Sequence, residues 1–155
     1  MQNLKVKGKH AGSDQLYEKD FYAWANKNAE LLRAGRLSEV DAGNIAEELE
    51  TMGRSEKREL TNRLAVLLAH LLKWVFQPEL RSNSWKYTIR GQRDDILDIL
   101  EESPSLRSEI DERLVKAYEK ATRLAAEQTG LEEGNFPANC PYSFDQAMDK
   151  DFWPE

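Results

Sequence analysis

Residues 64–76 read LAVLLAHLLKWVF, the one long apolar run in the chain. At 13 residues the run is well short of the roughly 20 that a helix needs to cross a bilayer, and it carries His70 and Lys73. A helix enclosed in a protein core is the reading that fits. Extended backwards, Leu60, Leu64, Leu67, Leu68, Leu71 and Val75 recur at spacings of three and four, which predicts a helix from about Ser55 to Phe76. Pro78 ends it, because proline lacks the N–H that the next turn requires.

The same period continues on both sides of this helix. Upstream, Tyr17, Phe21, Trp24, Asn28, Leu31 and Leu32 share one side of a first helix that starts near Asp14, with Gly35 as its left-handed terminator. A second helix begins near Ser38 or Asp41, carries Ile45, Glu48, Leu49 and Met52 on its stripe, and meets a break or kink at Gly53. Downstream, RSNS (81–84) offers caps for a fourth helix with Trp85, Ile89, Gln92, Ile96, Ile99 and Leu100 inward. Ser103-Pro104 starts a fifth, marked by Leu106, Ile110, Leu114, Ala117, Ala121 and Leu124 and closed before Gly130. Beyond it, an aromatic and proline-bearing tail holds one short helix announced by the capping box Ser143…Gln146. No alternating strand pattern appears. The expected fold class is therefore all-α, a single-domain bundle of about five main helices with an irregular aromatic C-terminal tail packed across it. Its parts are a flexible N-terminal arm at 1–13, the helical bundle at 14–131, and the tail at 132–155 as part of the same domain.

Composition narrows the function classes. The chain has 155 residues, a net charge of −6 and a 40% apolar share, enough for a core and too acidic for a general phosphate-backbone binder. A single cysteine, Cys140, rules out an internal disulfide and points to a reducing compartment. The N-terminus MQNLKVKGKHAGSDQ has no apolar segment of the secretory type, so a cytoplasmic protein with no membrane attachment is expected.

Polar residues on apolar stripes are the candidates for function, since burial without a partner is costly. Glu48, His70 and Arg93, with Asp20, form such a set, and a carboxylate that orients a histidine is the arrangement of a general base or a small-ligand site. The competing interpretation is a hydrogen-bond network that fixes helix register. Metal chemistry lacks its spacing. No Glu-x-x-His precedes His70 or His10, and no His-Glu-x-x-His occurs. The carboxylates of Glu47, Glu48, Glu50, Asp94, Asp95 and Asp98 would suit magnesium, but most fall on solvent faces. No metal or other cofactor is expected. Cys140, in Asn-Cys-Pro, reads as a small apolar anchor rather than a nucleophile. A separate cationic stretch over residues 81–93 holds Arg81, Lys86, Arg90 and Arg93, interleaved with Trp85 and Tyr87 and free of acids, a candidate contact for an anion or acidic partner.

Several blocks, in order, resemble a known family. They are residues 17–74, beginning YEKDFYAWANKNAELL, then SWKYTIRGQRDDI (84–96), SPSLR (103–107) and FPANCPYSFDQAMDKDFWP (136–154). This sequence is similar to the bacterial family called domain of unknown function 29. The resemblance implies a compact all-helical domain and brings no activity, ligand or catalytic residue. The functional expectation rests on the residues: a non-enzymatic protein-interaction or regulatory module with a protein partner. A small-ligand binder or enzyme using Glu48, His70 and Arg93 is the alternative, and nucleic-acid contact through 81–93 a weaker one that the net charge opposes.

Overall fold

The computed structural model describes residues 11–155, with side chains from Gln15 onward. The arm expected over residues 1–13, and His10 with it, lies outside that range, except that the first helix already begins at Ala11. The fold is all-α: α1 (Ala11–Lys19), α2 (Phe21–Arg33), α3 (Ala42–Phe76), α4 (Asn83–Glu102), α5 (Ile110–Thr129) and α6 (Phe144–Met148). No strand occurs among the described residues. Backbone contacts divide the chain into two compact units, one ending at Gly53 and one running Arg54–Glu155.

In the first unit, the helix expected from Asp14 onward is two helices. Asp20 separates them: its carboxylate accepts the Ala23 N–H at 3.0 Å and caps α2, so the local side-chain bond outcompetes a continuous ladder. Tyr17, Phe21 and Trp24 then stack across the break, with ring centroids 4.8–5.9 Å apart. At the far end of α2, Gly35 takes φ +70° as expected. Its N–H donates to Leu32 O and that of Arg36 to Leu31 O, the paired closure typical of a left-handed terminator. Asn28 is buried and hydrogen-bonded at both ends of its amide. Its amide donates to Trp24 O at 2.9 Å and accepts the Asp41 N–H at 2.8 Å, while the Trp24 indole donates to the Asp41 carboxylate at 3.0 Å.

The second and third expected helices are one. The 35-residue α3 runs through Gly53 without interruption. A mid-helix glycine costs about 1 kcal/mol relative to alanine, which is too little to stop a long helix whose later turns are deeply packed. The early stripe is also narrower than the sequence suggested. Asn44, Ile45 and Glu48 are half-buried, whereas Leu49 and Met52 lie more than 60% exposed.

The second unit holds the main core. Leu60, Leu64, Leu67, Leu68, Leu71 and Leu72 of α3 have no exposed surface, and they pack with Ile89, Ile96 and Leu100 of α4 and with Ala117, Ala121 and Ala125 of α5. Pro78 follows the end of α3 in a short 3-10 turn. Ser82 caps α4 by accepting the Trp85 N–H, as the RSNS segment implies. Ser103 departs from expectation: its side chain makes no cap bond, and Pro104 opens a 3-10 turn over Pro104–Glu109 before α5 begins. Gly130 ends α5 at φ +75°, and the Ser143…Gln146 capping box starts α6. Phe136, Ala147 and Pro154 of the tail are buried, with Trp153 packed partly buried against the core.

Two glycine substitutions test this description in opposite directions. Gly53→Ala should stabilise the protein by about 0.5–1 kcal/mol, because a Cβ at that helical position meets nothing within 4 Å. Gly35→Ala should destabilise it by about 1 kcal/mol, because an L side chain is strained at positive φ. Urea denaturation of both variants reads the two signs.

Candidate functional site

Arg93 is the most informative polar residue of α4. It is 3% exposed, and its guanidinium donates from Nε to Ala147 O at 2.8 Å and from Nη2 to Phe152 O at 3.0 Å. Its guanidinium carbon lies 5.6 Å from the centre of the Trp153 ring. Burial pulls its pKa down and Asp149 opposes that shift, so one buried cation ties α6 and the following segment onto α4. Its Nη1 and the neighbouring Gln92 Oε1 are buried with no partner among the described residues. The tail is fastened elsewhere too. The Tyr118 hydroxyl donates to Pro137 O, Phe136 meets Phe76 edge-on at 5.1 Å, and Trp153 lies 4.8 Å from Trp74.

The outer face of Trp74 borders a pocket of about 460 Å³. Arg81, Ser82, Asn83 and Lys86 complete its walls at the start of α4. Arg81 donates from Nε to Trp74 O at 2.7 Å and places its guanidinium carbon 4.9 Å from the Trp74 ring centre, while Lys86 Nζ lies at 5.9 Å. Two cations thus flank one indole at a helix start, a local reversal of the chain's acidic balance. Lys73 is a third cation nearby in sequence but an internal one. Its Nζ donates to Gln128 at 2.9 Å and sits 4.6 Å from the Trp85 ring, and burial lowers its pKa.

The structure gives the four expected cluster residues separate partners. Asp20 caps α2 from an exposed position, and Glu48 accepts the Tyr17 hydroxyl, whose pKa that bond raises. His70 is half-buried and bonded to its own helix. A carbonyl only accepts, so the 2.9 Å contact with Val66 O puts the proton on Nδ1. Burial lowers the His70 pKa and the nearby Lys73 charge adds to that, outweighing the Val66 bond, so the ring is neutral at pH 7. Of the basic segment, Arg81 and Lys86 meet at Trp74, Arg90 is exposed, and Arg93 is internal. Asp95 pairs with Arg63 at 2.9 Å, and Asp94 and Asp98 face solvent. Among the described residues, no three His, Cys, Asp or Glu side chains converge as metal ligands. Cys140 packs against the core, its thiol donates to Tyr142 O at 3.2 Å, and burial raises its pKa.

A second cationic feature has a sequence signal that composition conceals. Arg54, Lys57, Arg58 and Thr61 fall on one face of α3, and Arg113, Lys116 and Lys120 on one face of α5, each at spacings of three and four. Acids at Glu56, Glu59 and Glu119, interspersed among them, offset part of the charge along the chain. Only the helical projection separates the two signs.

Residues 16–153 match the family model described as a domain of unknown function, DUF29. The chain belongs to that family. No curated protein and no solved structure matches it. No helix among the described residues is long and apolar enough to cross a membrane. Membership in DUF29 thus fixes the kind of chain without supplying a chemistry, and the geometry above is what any functional reading has to use.

Two outcomes follow. Arg93→Met should destabilise the protein by about 3 kcal/mol, since it strands two inward carbonyls at about 1–3 kcal/mol each; urea unfolding measures it. His70 contributes stability at pH values above its unfolded pKa near 6.5, and that contribution is lost as pH falls toward its lower folded pKa. The melting temperature should fall between pH 7.5 and 5.5, and His70→Gln should fall less steeply over the same window.

Proposed function

We propose that this DUF29 domain is a non-enzymatic interaction module that receives an acidic segment of a protein partner at the Trp74 pocket. The observation that carries this reading is the bracketing of the Trp74 indole, itself only 8% exposed, by Arg81 and Lys86 in the wall of a pocket of about 460 Å³. An acidic side chain entering there meets a guanidinium, an ammonium and the positive end of α4, with an aromatic wall for its aliphatic stem. The net charge of −6 makes such a local reversal selective, because acidic chains are repelled from most of the surface.

The enzyme alternative draws no support from Glu48, His70 and Arg93, whose hydrogen bonds go to Tyr17, Val66 and the tail carbonyls. A neutral, half-buried His70 bonded to its own helix has no carboxylate to orient it for proton transfer. Nucleic-acid contact loses its densest charge, because Arg93 faces inward.

Affinity capture from the native host compares the wild type with Lys86→Glu, a substitution at a partly exposed side chain. The expected result is a partner recovered by the wild type and weakened about tenfold or more by the charge reversal, with an unchanged melting temperature. A partner set that Lys86→Glu leaves intact would remove the pocket from the interaction.

A further inference from the structure

The α3/α5 groove is a different place with different residues. It encloses about 380 Å³, and six cations line it: Arg54, Lys57, Arg58, Arg113, Lys116 and Lys120. One carboxylate, Glu112, is among them, and it serves two cations at once: Arg113 Nη2 at 2.9 Å and Lys116 Nζ at 3.2 Å. Lys57 is met from outside by Glu109 at 2.8 Å, and Lys120 donates to the Asn62 side chain at 3.1 Å. Arg58 pairs with no acid among the described residues. Lys57, Arg58, Arg113, Lys116 and Lys120 thus set five positive charges against the carboxylates of Glu109 and Glu112, on a protein whose total charge is −6.

Arg113 supplies the observation that points to a ligand. It is 7% exposed, and its Nε is buried with no hydrogen-bond partner. A guanidinium presents five donors and is costly to hold away from water unless they are met. Its one carboxylate partner, Glu112, is 59% exposed and shared, a weak return for burying a cation. Arg113 also lies in the first turn of α5, where the helix dipole disfavours positive charge. Each of these costs is relieved by one thing, an anion between the helices.

The spacing says what sort of anion. Arg54 to Thr61 and Arg113 to Lys120 each span eight residues, about 10 Å of rise over seven steps at about 1.5 Å each. Cations recur at nearly every turn along both walls, so the charge is spread along a line rather than gathered on a point. A single phosphate engages one turn of each wall. A chain of linked phosphates engages several, and guanidinium forks suit its paired oxygens. We propose that the α3/α5 groove binds a condensed phosphate, two or more linked phosphoryl groups held by Lys57, Arg58, Arg113, Lys116 and Lys120. Such a chain comes either free, as inorganic polyphosphate, or as the tail of a nucleotide. Lys120 also borders the adjoining hollow lined by Ala65, Val66 and Leu124, where the less polar body of a nucleotide would lie.

Calorimetric titration of the full chain with orthophosphate, tripolyphosphate and ATP tests this directly. Tripolyphosphate should bind saturably at one site, about tenfold or more tighter than orthophosphate. The Arg58→Glu/Lys116→Glu double variant should lose about tenfold or more of that affinity, while the exposed control Lys27→Glu keeps it. The Arg113 Nε–H resonance should shift on saturation, a readout that general charge screening does not produce. ATP binding tighter than tripolyphosphate assigns the source to a nucleotide, and equal affinity assigns it to the inorganic chain. Absence of saturable binding by both, equal affinity for orthophosphate, an equal loss in Lys27→Glu, or an unmoved Arg113 resonance overturns the proposal. None of these readouts involves Trp74, Arg81 or Lys86, so the two binding readings stand or fall separately.

Discussion

Burial of the second half of α3 on nearly every side is the constraint from which the larger unit is built. From Leu64 to Trp74 nine of the eleven positions are buried, which no single facing helix can achieve. α4 and α5 supply two neighbours, and the irregular tail closes over what they leave, with Phe136, Ala147 and Trp153 against the core. Enclosure on this scale also explains the internal cation. Lys73 falls among buried positions by the period of the helix, and its ammonium is tolerated because Gln128 accepts from it and Trp85 offers a ring face.

Much of this was legible in the primary structure, for reasons that differ from element to element. Leu60 through Leu71 read as a core helix because every polar exception on that face had to be explained, and there were few. Gly35, Gly130, Ser82 and the Ser143…Gln146 box were readable because each does a local job that few other residues can do. Gly53 misled because a glycine weakens a helix without ending one, and the outcome depended on turns far along the chain. Asp20 misled in the other direction, since capping and continuing are close in energy for an aspartate amid a helical pattern. Leu49 and Met52 satisfied a period whose inward side turned out to be narrower.

The expected polar cluster was harder, because a helical wheel reports that a side chain faces inward and says nothing of what it meets. Arg93 faces inward, as its place on the α4 stripe implies. Its partners are backbone carbonyls more than 50 residues away, and backbone acceptors leave no trace in residue identity. The α3/α5 cations escaped for a related reason. Charge counted along the chain mixes the two faces of a helix, and acidic residues on the outer faces masked a basic inner pair.

The bonds of Arg93 to Ala147 and Phe152 span 54 and 59 residues. On a ribosome that adds about 5–20 residues each second, roughly 3–12 s separate the synthesis of this cation from that of its last acceptor. During that interval α3, α4 and α5 exist without the tail residues Ala147 and Trp153 that complete their core, and without the carbonyls that meet Arg93. Arg93 therefore gains its acceptors only after residues 147–152 have been made, later than all of α3, α4 and α5.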